Sequence, residues 1–278
     1  MIVDESYQKK RKQVEEIIQR LRLLDDDLMT KVFEDVACTE LVLRIILQMP
    51  DLHVLSVQTQ ATMKNLQGRS IRLDVHAKDS SGKLYDIEVQ RADAGAGWKR
   101  ARYNSAVIDT NTLLSGEEHE QLPETYVIFI TEHDVFGAGF PIYHIDRVVR
   151  ETGKLFNDMA HIIYVNAQIT NDSTELGRLM SDFWCSNPED MYYQKLAERA
   201  SYFKNREKEG YKVMCKAVEE LMNQSKQEGR EEGRAEGRDD GINLCIVNML
   251  RKHNAEEVAE ELGVPLSRVL NLIQGSEA

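Results

Sequence analysis

The strongest constraint on this fold is a pair of short segments that each alternate apolar and polar residues. The segments are Ile71–Ala77 and Leu84–Gln90, and a turn at residues 79–82 lies between them. Because successive strand residues point to opposite faces, the alternation predicts a β-hairpin. Its predicted buried face consists of Leu73, Val75, Ile87 and Val89.

The other face of the predicted hairpin carries two carboxylates and an amide, those of Asp74, Glu88 and Gln90. A loop of four or five residues places Asp74 opposite Ile87 or Glu88. Carboxylates this close repel each other unless a cation lies between them. A hard divalent metal prefers oxygen ligands, so the pattern predicts a divalent cation at this face.

The composition allows a folded core but argues against a broadly basic surface. The chain has 278 residues, of which 42% are hydrophobic, which suits one large domain with appendages. Its 47 acidic residues outnumber 35 basic ones, giving a net charge of -12. A nucleic-acid site would therefore need a local concentration of basic residues or a metal ion.

The cysteines and the apolar runs indicate the compartment. Four cysteines lie far apart without a CxxC pair, which fits a reduced setting better than a zinc site or a disulfide framework. No apolar run approaches the roughly 18 residues that suggest a membrane span. The first 26 residues are charged throughout and lack an apolar signal core. We therefore expect a cytoplasmic protein with no membrane segment.

The element pattern of the first 170 residues predicts a mixed α/β (α+β) layered domain. An amphipathic lead-in helix is expected within residues 1–24. A second helix, capped by the acids at 25–27, is expected to run to Met49, where Pro50 stops it. Three strands, a helix at Trp98–Leu114 and two further strands follow, which places the core domain at residues 25–170.

The remaining residues are predicted to be mainly helical, in three parts: a helical subdomain at 171–225, a Glu-Gly-Arg repeat at 226–241 and a small module at 242–278. A helix in the repeat would carry glycines that each cost about 1 kcal/mol relative to alanine. We therefore favour a flexible connector there, with a contact between two copies as the alternative. The last module has the rhythm of a helix-turn-helix, yet it holds three Lys or Arg against five Asp or Glu. Helical packing or oligomerisation is the favoured role, and DNA reading is the alternative.

Several motifs together resemble the PD-(D/E)XK nuclease superfamily, and more closely its nuclease family transposase or recombination-promoting nuclease branch. They are the segments 72–74, 85–91 and 99–103, the opening segment 27–33 and the late Glu-Gly-Arg repeat. The resemblance covers roughly residues 25–240. It implies a restriction-endonuclease-like core of helix, three strands, helix and strand, with the catalytic acids on the second and third strands and a helical C-terminal extension.

The resemblance implies a metal-dependent endonuclease that hydrolyses DNA phosphodiester bonds, with a link to recombination or mobile elements. Asp74 and Glu88 would bind Mg²⁺ or Mn²⁺, and Glu40 would join them, with Glu34 as the alternative. Gln90 would position the attacking water, although the wider superfamily usually has a lysine there. Because glutamine carries no charge, the alternative is a catalytically weak or inactive nuclease fold that serves as an interaction or DNA-holding module.

A basic cluster opens the helix after the hairpin, with Lys99, Arg100 and Arg102 followed by Tyr103. The N-terminal end of a helix favours anions and disfavours cations. Three cations there therefore indicate an anionic neighbour, for which a DNA phosphate is one candidate and surface acids are the other. With the resemblance, these four residues are predicted to bind DNA.

Overall fold

The computed structural model describes residues 5–65, 68–91 and 95–275 and has a mixed α/β architecture. The helices are α1 (Glu5–Arg20), α2 (Asp26–Phe33), α3 (Val36–Leu47), α4 (Trp98–Thr112), α5 (Glu175–Trp184), α6 (Gln194–Lys204), α7 (Glu209–Met249), α8 (Ala255–Leu262) and α9 (Leu266–Gly275). The strands are β1 (Val54–Lys64), β2 (Ser70–Asp79), β3 (Leu84–Gln90), β4 (Thr125–Thr131), β5 (Ile142–Ile145), β6 (Val148–Val149), β7 (Lys154–Leu155) and β8 (Ala160–Asn166).

Six strands form one mixed sheet in the order β1-β2-β3-β4-β8-β5. The first three strands are an antiparallel meander, β3, β4 and β8 run parallel, and β5 returns antiparallel at the edge. The predicted core order of helix, three strands, helix and strand is therefore confirmed. The short strands β5, β6 and β7 were not predicted, because their sequences are too short and too exposed to show a clear period.

The centre of the sheet is covered on both sides, as the apolar sequence of β4 predicts. All seven residues of Thr125–Thr131 are buried. On one side, Ala101 and Ile108 of α4 pack against Leu73 and Phe129. This packing fixes α4 across β3 and β4, so the start of α4 lies over the end of the hairpin that carries the acids.

The hairpin between β2 and β3 is closed by one buried aspartate. Asp79 Oδ1 accepts hydrogen bonds from the N–H groups of Ser81 and Lys83, each at 2.9 Å, and its Oδ2 accepts one from the Tyr85 hydroxyl at 2.8 Å. Burial opposes ionisation, but these donors hold the pKa of Asp79 below its ordinary value. The turn therefore sets the register of the two strands.

The segment after the lead-in helix differs from the expectation. The single predicted helix is two helices, because the Asp35 side chain accepts from the N–H groups of Ala37 and Cys38 and starts α3 anew. Asp25 precedes α2 but makes no side-chain cap. Its carboxylate instead accepts from the N–H of Arg22 at 2.7 Å and from Arg91 at 2.8 Å.

Residues 219–278 form a second compact unit, separate from the unit of residues 1–218. The Glu-Gly-Arg repeat is not a separate connector, since it lies inside the continuous helix α7 with its side chains exposed. Asn254 caps α8 as predicted, and Gly263 ends it with a φ of 61°. Ile246, Val258 and Val269 form the small core of this unit. None of the helices within the described residues is both long and apolar enough to cross a membrane.

We predict that Asp79→Ala lowers the free energy of unfolding by about 2–4 kcal/mol, because three donors, among them the buried Tyr85 hydroxyl, lose a charged acceptor. Tyr85→Phe removes only one of these donors and should cost about 1 kcal/mol. Urea unfolding followed by circular dichroism measures both. Equal effects of the two variants would contradict the assigned role of Asp79.

Candidate active site

Asp74 and Glu88 meet where the ladder between β2 and β3 ends. Regular pairing of the two strands stops at Val75 and Ile87. Beyond that pair, Asp74 Oδ2 accepts a hydrogen bond from the N–H of Val89 at 3.1 Å, and the Glu88 carboxylate accepts one from the N–H of Asp74. Each acid is thus held by the backbone of the other strand, which places the two carboxylates side by side, as the hairpin prediction required.

The strict alternation predicted for this region is wrong at one residue. Leu73 packs in the cluster with Ala101 and Phe129 on the α4 side, where Glu88 also lies. The register of β1 and β2 is unchanged on both sides of this point, but Gln60, which lies opposite Asp74, adopts a positive φ of 53°. This local departure from extended backbone accompanies the loss of the plain period of two at Leu73 and Asp74.

A third acid, Asp86, lies beneath the pair and was missed by the sequence analysis. Asp86 precedes Glu88 by two residues, so both side chains share the α4 face of β3. The Asn104 side chain donates to Asp86 Oδ2 at 3.2 Å and to Glu88 Oε1 at 3.3 Å. Asp86 Oδ1 is buried and has no hydrogen-bond partner within the described part of the chain. The shared face of β3 was the signal that could have identified this residue.

The three buried carboxylates resist ionisation together. Burial raises the pKa of Asp74 to about 6, although the hydrogen bond from Val89 opposes the shift. Burial and then the charge of Asp74 raise the pKa of Glu88 to about 7. Burial and the charge of Glu88 raise the pKa of Asp86 well above its ordinary value. A cation of high charge bound here would relieve this repulsion.

Arg100 covers the buried acid Glu88. The Arg100 guanidinium pairs with the Glu88 carboxylate, whose side chain is 0% exposed, while the Arg100 side chain is 38% exposed. Arg100 also donates to Gln90 Oε1 at 3.2 Å and to the Gly95 carbonyl at 2.9 Å. Gln90 in turn donates to Glu88 Oε2 at 3.4 Å. These contacts join the predicted catalytic residues of β3 to the basic start of α4.

Gly95 leaves room for the side-chain amide of Gln90. A Cβ atom built on Gly95 would lie 1.9 Å from Gln90 Oε1, which is a severe overlap. The glycine therefore lets the backbone approach the amide closely.

A basic cleft of about 730 Å³ opens beside Arg100. The four residues predicted to bind DNA line it together with two arginines from β2 and the loop before it. The cations and the tyrosine of its wall are Arg69, Arg72, Lys99, Arg100, Arg102 and Tyr103. No acidic residue lines the cleft among those that the structure describes. Its charge is therefore opposite to the net charge of the whole chain.

Glu40 does not join the acids of the hairpin, which corrects the first choice for a further metal ligand. Glu40 accepts from the N–H of Val54 at 3.0 Å and pairs with Arg44 at 2.8 Å. Val54 pairs with Asp79, at the turn end of the hairpin. Asp74 lies five residues further along β2, about 16 Å away at the usual strand rise.

The alternative ligand, Glu34, is also engaged elsewhere, in a pair with Lys31 at 2.6 Å. The acid that approaches from the first helices is Asp26, at the start of α2. Its Oδ1 accepts from the side chain of Gln60 at 3.3 Å. After burial, the charge of Asp26 is among the causes that raise the pKa of both Asp74 and Glu88. The run of three acids at 25–27 was the signal, but it was interpreted as a helix cap.

The donor set of the site fits a hard divalent cation. Its oxygens belong to two neighbouring carboxylates with raised pKa values, and an unpaired buried oxygen of Asp86 lies below them. No group of three His, Cys, Asp or Glu side chains in the described ranges is already arranged around a single point. At this site the Arg100 guanidinium pairs with Glu88.

The sheet order and the position of the acids define a PD-(D/E)XK nuclease-like fold. The family model of the PD-(D/E)XK nuclease family transposases matches residues 46–245, and the chain belongs to this family. No curated protein and no solved structure matches the chain. Membership confirms the resemblance found in the sequence and supports a nuclease-like or transposase-like role.

We predict that Asp74→Asn stabilises the metal-free protein more at pH 8 than at pH 5. The pKa of about 6 in the fold exceeds that of an unfolded aspartate, so the wild type loses stability as the pH rises through this range. The asparagine of the variant cannot ionise. The free energy of unfolding of the variant, relative to that of the wild type, should therefore be about 1–2 kcal/mol higher at pH 8 than at pH 5. Urea unfolding in the presence of a chelator measures both free energies. A difference between variant and wild type that does not change with pH would contradict the raised pKa of Asp74.

Proposed function

We propose that the protein is a metal-dependent DNA endonuclease that hydrolyses phosphodiester bonds. One observation supports this most: two buried, mutually repelling carboxylates, Asp74 and Glu88, lie next to a cleft lined by five cations. The acids suit a divalent cation, and the cleft suits the phosphates of a nucleic-acid strand. Arg100 pairs with Glu88 and also lines the cleft, so the acids and the cleft form one site.

In this proposal Asp74 and Glu88 hold Mg²⁺ or Mn²⁺, and Asp26 is the acid that approaches them from α2. A divalent ion in such a site lowers the pKa of water and neutralises charge that develops on phosphate oxygens. The hydrogen bonds from Val89 and Asp74 fix the two carboxylates before any ion arrives. That pre-ordering supports binding because little side-chain freedom remains to be lost.

Gln90 orients the attacking water through its amide, and Arg100 supplies the positive charge that glutamine lacks. The Arg100 guanidinium lies 3.2 Å from Gln90 Oε1, next to the place where the superfamily usually has a lysine. Unlike a lysine, the amide cannot stabilise an anion by charge. A guanidinium can contact two phosphate oxygens at once, which suits this role.

The Arg100 guanidinium competes with a divalent ion for the Glu88 carboxylate. The Arg100 side chain is 38% exposed and reaches the basic cleft, so a DNA phosphate can take it over. We infer that Arg100 exchanges Glu88 for a phosphate when substrate binds. The exchange would strengthen ion binding when DNA arrives.

A second candidate function is a DNA-holding or interaction module without catalysis. It is favoured by the contacts of Glu88, whose carboxylate already has partners in Arg100, Asn104 and Gln90. In that case the arginine would act as a permanent substitute for the metal. A link to recombination or mobile elements is supported by the family alone.

We predict that the purified protein nicks or linearises plasmid DNA in the presence of Mg²⁺ or Mn²⁺. Asp74→Asn and Glu88→Gln should each lower the rate by about 100-fold or more, because each removes charge from the metal site. Glu40→Gln is the matched control, since it changes an acid that contacts Val54, at the turn end of the hairpin away from Asp74, and should leave the rate within about twofold. Gel electrophoresis of the plasmid measures all of these rates.

The same assay separates the two candidate functions. A wild-type protein that binds DNA but cuts none with either metal would contradict the nuclease proposal and favour the holding module. Normal cleavage by both Asp74→Asn and Glu88→Gln would contradict the assigned site. If Glu40→Gln loses as much activity as Asp74→Asn, Glu40 belongs to the site after all.

We predict that Arg100→Gln changes metal binding and turnover in opposite directions. Loss of the guanidinium removes the competitor for Glu88, so the Mg²⁺ concentration for half-maximal cleavage should fall. The maximal rate should also fall, by about 100-fold, because a cation beside the phosphate is lost. Cleavage rates over a Mg²⁺ titration measure both. A higher Mg²⁺ requirement in the variant would contradict the exchange.

A further inference from the structure

An exposed aromatic stack stands at the start of α4 and has no part in the site described so far. The ring of Trp98 lies nearly parallel to that of Phe136, with the centroids 5.9 Å apart and an angle of 11°. Trp98 is 66% exposed and Phe136 is 37% exposed. A tryptophan this exposed leaves much of an apolar, flat surface in water.

The ring beneath Trp98 is held rigidly. The centroid of the Phe136 ring lies 4.6 Å from that of Tyr143 and 5.3 Å from that of Tyr164, and the Phe136 and Tyr164 rings meet edge to face. Its loop is fastened by Asp134, which accepts from the N–H of Phe136 at 3.0 Å and from the Tyr143 hydroxyl at 2.8 Å. The platform is therefore ordered before any ligand arrives, which lowers the entropy cost of binding to it.

The aromatic stack is continuous with the acid site. Tyr164 stacks on Phe129 with centroids 5.2 Å apart, and the Arg100 guanidinium lies 5.8 Å from the Phe129 centroid. Arg100 is the residue that pairs with Glu88. The Tyr164 hydroxyl also donates to the carbonyl of Ala96, two residues before Trp98, at 3.0 Å. A ligand on Trp98 would thus lie at the border of the cleavage centre.

The neighbouring charges indicate the chemistry of that ligand. Lys99 follows Trp98 directly and lines the basic cleft with Arg102. A flat apolar ring next to cations fits a group that combines a flat π-face with a negative charge. A nucleobase on its phosphate backbone has this combination, and stacking on an aromatic side chain is a common mode of single-strand binding.

We propose that Trp98 stacks on an unpaired base of the DNA substrate, so that the preferred substrate contains a single-stranded segment next to the cleaved bond. The bases of an intact duplex are stacked on one another and do not offer a face to a side chain. A strand end, gap or flap does. This inference rests on the proposed nuclease function, because it names the form of DNA that the same site takes.

Binding without metal tests the inference independently of cleavage. With a chelator present, an oligothymidylate strand should quench the fluorescence of the full-length wild type, whereas a duplex of equal length should not. Trp98→Ala should weaken single-strand binding by about 10- to 100-fold and change duplex binding by less than about twofold. Trp98→Phe keeps a stacking ring and should retain most of the affinity while losing the quench.

A matched control and the cleavage of two substrates complete the test. Leu114→Ala changes a side chain of similar exposure, 67%, just beyond the other end of α4 and should leave single-strand binding unchanged. Cleavage of a gapped plasmid should exceed that of an intact one, and Trp98→Ala should remove this preference. Equal effects of Trp98→Ala on single strands and duplexes, or no effect on either, would overturn the inference. If nothing is cut but single-strand binding still depends on Trp98, the proposed cleavage fails and the stacking site stands.

Discussion

The site depends on the reciprocal contact of Asp74 and Glu88 across the end of the hairpin ladder. Each carboxylate accepts a hydrogen bond from the backbone of the opposite strand, so the two acids are fixed by the sheet itself. Backbone donors compensate part of the cost of burying the charges, but they do not remove the mutual repulsion. The result is an ordered pair of carboxylates, whose repulsion a bound cation would relieve.

A basic cleft lies beside this pair of acids. The chain is acidic overall, yet five Lys and Arg residues line this cleft, at the start of α4 and around the neighbouring end of β2. Arg100 joins the two regions, since it pairs with Glu88 and also lines the cleft. A polyanion would be attracted to the cleft, which favours one orientation of DNA on the surface. In the stacking that we propose, Trp98 would add a contact that depends on the form of the DNA and not on its charge.

The fold could be predicted from the sequence where a period was regular. The alternation of β2 and β3 and the apolar run of β4 identified these strands, and the family resemblance identified the order of the core elements along the chain. The break between α2 and α3 was missed because Asp35 was not recognised as a new cap. Leu73 was placed on the wrong face, since a local irregularity at Gln60 has no periodic signature.

The site could be predicted only in part, because some of its contacts join distant segments. The closeness of Asp74 and Glu88 followed from the hairpin, and the four residues at the start of α4 do line one cleft. Glu40 was chosen by its position in a helix, but the structure ties it to Val54. The partnership of Trp98 with Phe136 joins residues 38 positions apart and leaves no trace in local sequence. Spacing along the chain therefore identified the local parts of the site, while tertiary packing determined which of them meet.

The central claim is that Asp74 and Glu88 share one divalent ion. Titration of the full-length protein with Mn²⁺, followed by calorimetry or by the electron paramagnetic resonance of free Mn²⁺, tests it without any need for cleavage. The account predicts one ion per chain in the wild type and loss of that ion in both Asp74→Asn and Glu88→Gln. Undiminished Mn²⁺ binding in either variant, or no binding by the wild type, would contradict it.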